Sequence, residues 1–254
     1  PESVMWLTMN IFDRYLSIID THRKILQLVA IAAYFIASKL SDNDIGTNTL
    51  TLSDACRLTD NAFNITQLKN FEYKILKTLN FHIQIPTVYN FLMYYINITY
   101  SIDNIRDNNK IDNYSANNYI TLWRSQQNLN SCFSESSLLK SLACYYADRN
   151  LLEYDLIEMT SGSSALYAAC CIYCARVQQS QYNTNNLPIN TWPKQLEDET
   201  GYKINDLILI SKIIIIHVKE ECQSSITNKR QLIIKKKYSD EKYHYVAKLP
   251  LPSI

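Results

Sequence analysis

Only three of the 254 residues are glycine: Gly46, Gly162 and Gly201. No two are near neighbours, and loops that cradle a phosphate need clustered glycines so that backbone can approach the anion. A P-loop, a dinucleotide-binding fingerprint and a kinase glycine loop are therefore excluded. Hairpin-rich β folds also lean on Gly at positive φ, which Asn replaces only in part. An all-α fold follows. With 47% apolar residues the chain can build a sizeable core, and its length lies near the point where one core divides into two.

Apolar periodicity places the helices. Val4, Leu7, Ile11, Tyr15 and Ile18 recur at helical spacing and predict an amphipathic helix over 3–19. Residues 25–40 are apolar on nearly every face, the pattern of a central buried helix. A polar loop (41–51) and a short helix (53–58) come next, and Asn64 with Gln67 forms a capping-box pair opening a helix to Leu79. Pro86-Thr87 opens another, with Val88, Phe91, Leu92 and Tyr95 on one face. The Asn/Asp-rich stretch 101–118 has no period and reads as a long loop or insertion. Helices are expected near 119–130 and 135–150, then a strongly apolar one over 163–177 and a polar loop at 178–190. A short helix from Pro193 and a long one over 205–222 precede a basic, Tyr-rich tail that starts at Asn228.

Several chemistries lose support here. A net charge of +1 argues against a dominant nucleic-acid or membrane footprint, and runs such as Ile213–Ile216 are far too short to span a bilayer. The seven cysteines are odd in number and lack framework spacing, which suits a reducing, intracellular compartment. Cys171-Ile-Tyr-Cys174, with Cys170 before it, is formally a C-x-x-C, but it lies mid-helix among Ala and Ile, where Cys packs as a small hydrophobe. His22, His82, His217 and His244 are scattered without ligand spacing, so no metal and no cofactor is assigned. Asp42-Asn-Asp44-Ile-Gly46 lacks the register of a calcium loop and its bidentate Glu, and no G-x-S-x-G occurs. Lys235-Lys236-Lys237 is either a nuclear-import patch or a solvated face. Residue 1 is Pro and a helical pattern begins almost at once, so the chain reads as a piece starting inside a longer protein.

The same unit occurs twice. Phe63-x-Ile65-x-x-Leu68 matches Tyr202-x-Ile204-x-x-Leu207 at an offset of 139, and Ala32-Ala33-x-x-Ile36 matches Ala168-Ala169-x-x-Ile172 at 136. Positions shared by both copies are expected in the core. Charged residues confined to one copy need another reason. Lys39 corresponds to Ala175 and Glu72 to Ser211. From the residues alone, this pair reads as a buried intramolecular ion pair or as two snorkelling side chains.

Several segments taken in order resemble a cyclin of the mitotic A/B type. Asn10-Ile-Phe-Asp-Arg-Tyr-Leu-Ser17 is similar to the family's NYxDRFLS helix, and Leu26-Gln-Leu-Val29 with Ala37-Ser-Lys-Leu40 to its LQLVG…ASKFEE helix. Leu58-Thr-Asp-Asn-Ala-Phe63, Glu72 and Leu79-Asn-Phe81 before Pro86-Thr87 follow in the family's order. Tyr154-Asp155, Trp192-Pro193 and Thr200-Gly201-Tyr202 resemble the second cyclin box, and Lys242-Tyr-His244 and Lys248-Leu249 the A/B-type tail.

The resemblance implies two tandem five-helix cyclin-box domains with the first helix of box one absent: an N-terminal box at 1–85, a second at 86–227 and a basic tail at 228–254. It implies a non-catalytic regulatory subunit that binds and activates a cyclin-dependent protein kinase in cell-cycle control, in nucleus and cytoplasm. Lys39 and Glu72 take the places of the cyclin pair that hydrogen-bonds kinase backbone beside helix αC, with Ile36, Leu40, Leu76, Phe81 and Ile83 as the apolar contacts around them. Leu40 replaces the usual Phe, and Ser41-Asp42 the usual acidic pair. Of the groove that docks substrate or inhibitor peptides, only Leu26 and Gln27 match. Asp13 matches a buried Asp whose Arg partner lies on the absent helix, so an unpaired buried carboxylate is expected there. Two other classes compete: a transcription-factor IIB-like pair of cyclin repeats binding DNA, which should be markedly basic along one face, and a plain helical scaffold.

Overall fold

A computed structural model describes residues 2–41, 50–108, 138–151, 153–182, 190–223 and 229–252, and every regular element among them is helical. The chain divides into two compact units, residues 1–90 and 91–254.

The first unit contains α1 (Glu2–Ile18), α2 (Leu26–Ser41), α3 (Leu52–Arg57) and α4 (Ile65–Thr78). Helix α1 buries Val4, Ile11 and Tyr15, residues a helical repeat apart, against α2. Helix α2 is the central element, packed on α1, α3 and α4, and buries Leu28, Val29, Ala32, Ala33, Phe35, Ile36 and Ala37. The alanines shorten its surface where neighbouring helices approach. The expected capping box holds: Asn64 Oδ1 accepts the Gln67 N–H at 2.8 Å, and Gln67 Oε1 accepts the Asn64 N–H at 2.9 Å. A second box caps α3, where Thr51 and Asp54 exchange the same pair of bonds and the Thr51 side chain holds the Asp54 carboxyl below its usual range. Asp13 corrects an expectation. It is exposed on the outer side of α1, although partial burial still pushes its carboxyl up. Among the described residues nothing lies over it to bury it fully.

The second unit takes most of α5 (Val88–Asn108), then α6 (Leu138–Arg149), α7 (Tyr154–Met159), α8 (Ser164–Tyr182), α9 (Lys194–Thr200), α10 (Ile204–Gln223) and α11 (Lys229–Lys237). Two loop expectations are overturned. Residues 101–108 continue α5, because Ile98 and Ile102 extend the buried row begun by Leu92 and Tyr95. Residues 178–182 continue α8, because Gln178 is buried and bonded on both sides. Its Oε1 accepts the Tyr146 O–H at 2.7 Å and its Nε2 donates to the Pro250 carbonyl at 2.9 Å. Residues 109–118 and 183–189, the helix expected at 119–130 and residues 42–49 of the polar loop lie outside the described residues. Helix α7 has no apolar repeat long enough to announce it; only Leu156 is buried. Gly201 closes α9 at φ 76°, in the left-handed region where its missing Cβ avoids strain.

The segment after α11 folds back onto this unit. Tyr238 is buried, donates its O–H to Asp148 at 2.7 Å and meets Tyr145 edge-on, while Lys237 reaches the same carboxylate at 2.9 Å. Among the described residues, no helix is long and apolar enough to cross a membrane.

Helix α8 is the buried centre of the second unit, and its thiols behave accordingly. Burial pushes Cys170 up to about 12 and raises Cys171 and Cys174 as well. The thiolate is the reactive form, so all three should resist iodoacetamide at pH 8 in the native protein and react fully in urea. Mass spectrometry on the native labelling reaction checks this; rapid modification at Cys171 or Cys174 would contradict it.

Candidate functional site

The singled-out residues converge on one region of the first unit: the C-terminal end of α2, the outer side of α4 and the segment that follows α4. Lys39 Nζ donates to Glu72 Oε1 and lies over the Phe35 ring, 4.2 Å from its centroid. The pair is not buried as a core ion pair would be: the Lys39 side chain is 43% exposed and that of Glu72 17%. An ammonium has three N–H groups and a carboxylate two oxygens, so both a donor and an acceptor remain to face outward.

Phe81 is 66% exposed because of how α4 ends. The Asn80 N–H returns to the Lys77 carbonyl at 3.1 Å and the Phe81 N–H to the Leu76 carbonyl at 2.9 Å, the paired bonds of a Schellman motif. Asn80 sits at φ 50°, where Asn is tolerated, and Phe81 at φ 58°, where an aromatic is strained. The left-handed backbone turns the ring to solvent. Leu40 is exposed, Leu76 half-buried, and Ile36 and Ile83 are buried in the core. Periodicity alone did not separate these last four. Tyr73, 61% exposed beside Glu72, and Ile85, also exposed, were not singled out, although Tyr73 falls off the Leu68–Ile75 buried row of α4. At the other end of α2, Leu26 is half-buried and Gln27 exposed.

The second copy uses the same positions differently. Ala175 is fully buried, and buried Ser211 donates to the Cys170 carbonyl at 3.4 Å. The counterpart of Leu40 at the same offset of 136 is Arg176. It is fully buried and donates from Nε to the Thr191 carbonyl at 3.0 Å and from its guanidinium to the Asn190 carbonyl at 3.1 Å. Copy two closes the place with its own chain. Among the described residues of copy one nothing covers the place, and Leu40, Tyr73 and Phe81 are exposed.

A two-box helical chain with one open and one closed copy is matched throughout by known families. Residues 1–84 match the Cyclin, N-terminal domain family and residues 86–252 the Cyclin, C-terminal domain family. The chain belongs to the cyclin family. It is 24% identical over 249 residues to Cyclin-A3-3 of Arabidopsis thaliana, covering 97% of this chain and 61% of that protein. To Cyclin-B1-1 of the same plant it is 26% identical over 250 residues, covering 98% and 47%. It thus spans about half the length of the curated relatives it matches. In fold it is similar to the crystal structure of a viral cyclin from herpesvirus saimiri, with a TM-score of 0.55 and 19% identity over 87% of this chain and 77% of that one.

Proposed function

We propose that this chain is the regulatory subunit of a cyclin-dependent protein kinase and activates it in cell-cycle control without catalysing any reaction itself. The observation that carries the reading is the asymmetry between copies: Lys39, Glu72 and Leu40 stand open where Ala175, Ser211 and Arg176 are closed by their own chain. Lys39 and Glu72 offer a donor and an acceptor to kinase backbone, and Leu40, Leu76 and Phe81 supply the apolar contact. Ile36 and Ile83 support that surface from the core. A cyclin that binds the active kinase better than the inactive one shifts the population, so that the kinase's own Lys–Glu ion pair forms. Leu26 and Gln27 contribute to substrate or inhibitor docking. The working compartment is nucleus and cytoplasm, with no cofactor, nucleic acid or membrane as partner. The chain's net charge of +1 weighs against the DNA-binding alternative.

Exposed aromatics at the centre of an interface carry a large share of the affinity. Phe81→Gly should weaken kinase binding about 30-fold or more, by ~2 kcal/mol. It should leave the melting temperature no lower, since Gly adopts the left-handed backbone freely. Calorimetric titration with a purified cyclin-dependent kinase, beside a thermal melt, tests both halves. Unchanged affinity would count against the assigned surface, and retention on a DNA column without kinase binding would favour the alternative.

A further inference from the structure

The second unit brings together three metal-capable side chains that are far apart in sequence. Glu153 precedes α7, Asp155 lies in its first turn and His217 comes from α10. One ligand atom of each lies within 4.8 Å of the others. His217 Nε2 is 3.2 Å from Asp155 Oδ2. Asp155 satisfies its own helix through the other oxygen, Oδ1, which accepts the Leu156 N–H at 3.1 Å, so Oδ2 is left for the cluster. Glu153 occupies the N-cap of α7 yet its side chain caps no backbone N–H. His217 Nδ1 is buried with no hydrogen-bond partner among the described residues, so the ring has lost water on one side and faces the two carboxylates on the other.

We propose that Glu153, Asp155 and His217 form a binding site for a divalent transition metal of the zinc type. One imidazole nitrogen and two carboxylate oxygens are a borderline donor set, and the exposure of Asp155 leaves a further position for water. Calcium and magnesium prefer fuller oxygen shells. With metal–ligand bonds of about 2.0–2.1 Å, tetrahedral ligands sit roughly 3.3 Å apart. The Asp155–His217 pair already has that spacing, and the Glu153 side chain closes the third corner by rotation. The metal takes the Nε2 lone pair of the neutral imidazole, whose single proton then sits on Nδ1. Among the described residues no carboxylate or carbonyl meets Nδ1, and the lack of such an outer partner costs about 10–100-fold in affinity. Bound metal would tie the start of α7 to α10.

Titration calorimetry of the full, reduced chain with zinc chloride tests the site, with magnesium and calcium chloride in parallel. One equivalent of zinc should bind, at least tenfold more weakly in Asp155→Asn and in His217→Ala, with neither hard cation taken up. Asp155 is exposed, so its variant keeps the test valid if His217→Ala misfolds. Absence of zinc uptake would overturn the proposal. So would uptake unchanged in Asp155→Asn and in Glu153→Gln, because the ion would then sit elsewhere, on the thiols.

Discussion

Alanine at Glu72 should weaken kinase binding by between about 30-fold and a few thousand-fold, the ~2–5 kcal/mol lost when one partner of a desolvated, hydrogen-bonded charge pair is removed. In the free protein the same carboxylate accepts from Lys39 at a surface where Lys39 is 43% exposed, and exposed ion pairs are worth only about 0–1 kcal/mol. Thermal melting should therefore hardly move. This split between affinity and stability separates an interface pair from a structural one. Lys39→Ala should give the same split, and the double variant should bind little worse than either single one, because each removal leaves the other without its role. Calorimetric titration against a purified cyclin-dependent kinase reads the affinities. Unchanged affinity in both variants, or a large drop in melting temperature with affinity intact, would assign the pair to the fold.

Arg176→Leu should have the opposite signature. The substitution installs in copy two the residue that copy one carries at Leu40. It removes the donors to the Thr191 and Asn190 carbonyls and so releases the segment leading into α9. A hydrogen bond from a charged donor is worth about 1.5–3 kcal/mol, and both carbonyls are only partly buried, so a loss of roughly 2–5 kcal/mol in the stability of the second unit is expected. Kinase affinity should stay within about twofold, since Lys39, Glu72 and Phe81 all belong to the first unit. Urea unfolding monitored by circular dichroism gives the stability. A shift equivalent to under ~0.5 kcal/mol would show that the guanidinium is not what holds this segment.

The fold was legible where one physical signal dominates. The scarcity of glycine, the all-round apolar α2 and the Asn64/Gln67 cap each point one way, and the structure follows them. Legibility failed where composition and burial disagree. Asn and Asp around 101–108, and Gln at 178–182, look like loop, yet Ile102 and Gln178 are buried by tertiary contacts that no local window contains. The outward turn of Phe81 depends on two successive left-handed residues, a backbone choice that Asn80 hints at and Phe81 itself argues against. The Glu153–Asp155–His217 cluster escaped for a plainer reason: its histidine comes from another helix, so no linear spacing records it. Lys39 and Glu72 were visible because the chain carries its own control, a second copy without the charges.

The most direct test of the regulatory role is phosphotransfer by a purified cyclin-dependent kinase, phosphorylated on its activation loop, as this chain is added. Activity toward a peptide substrate should rise from near zero to saturation with the wild-type chain. With a variant carrying both Lys39→Ala and Glu72→Ala it should stay near baseline at the same concentrations. Full activation by that double variant, or none by the wild type at concentrations where it binds the kinase, would contradict the account.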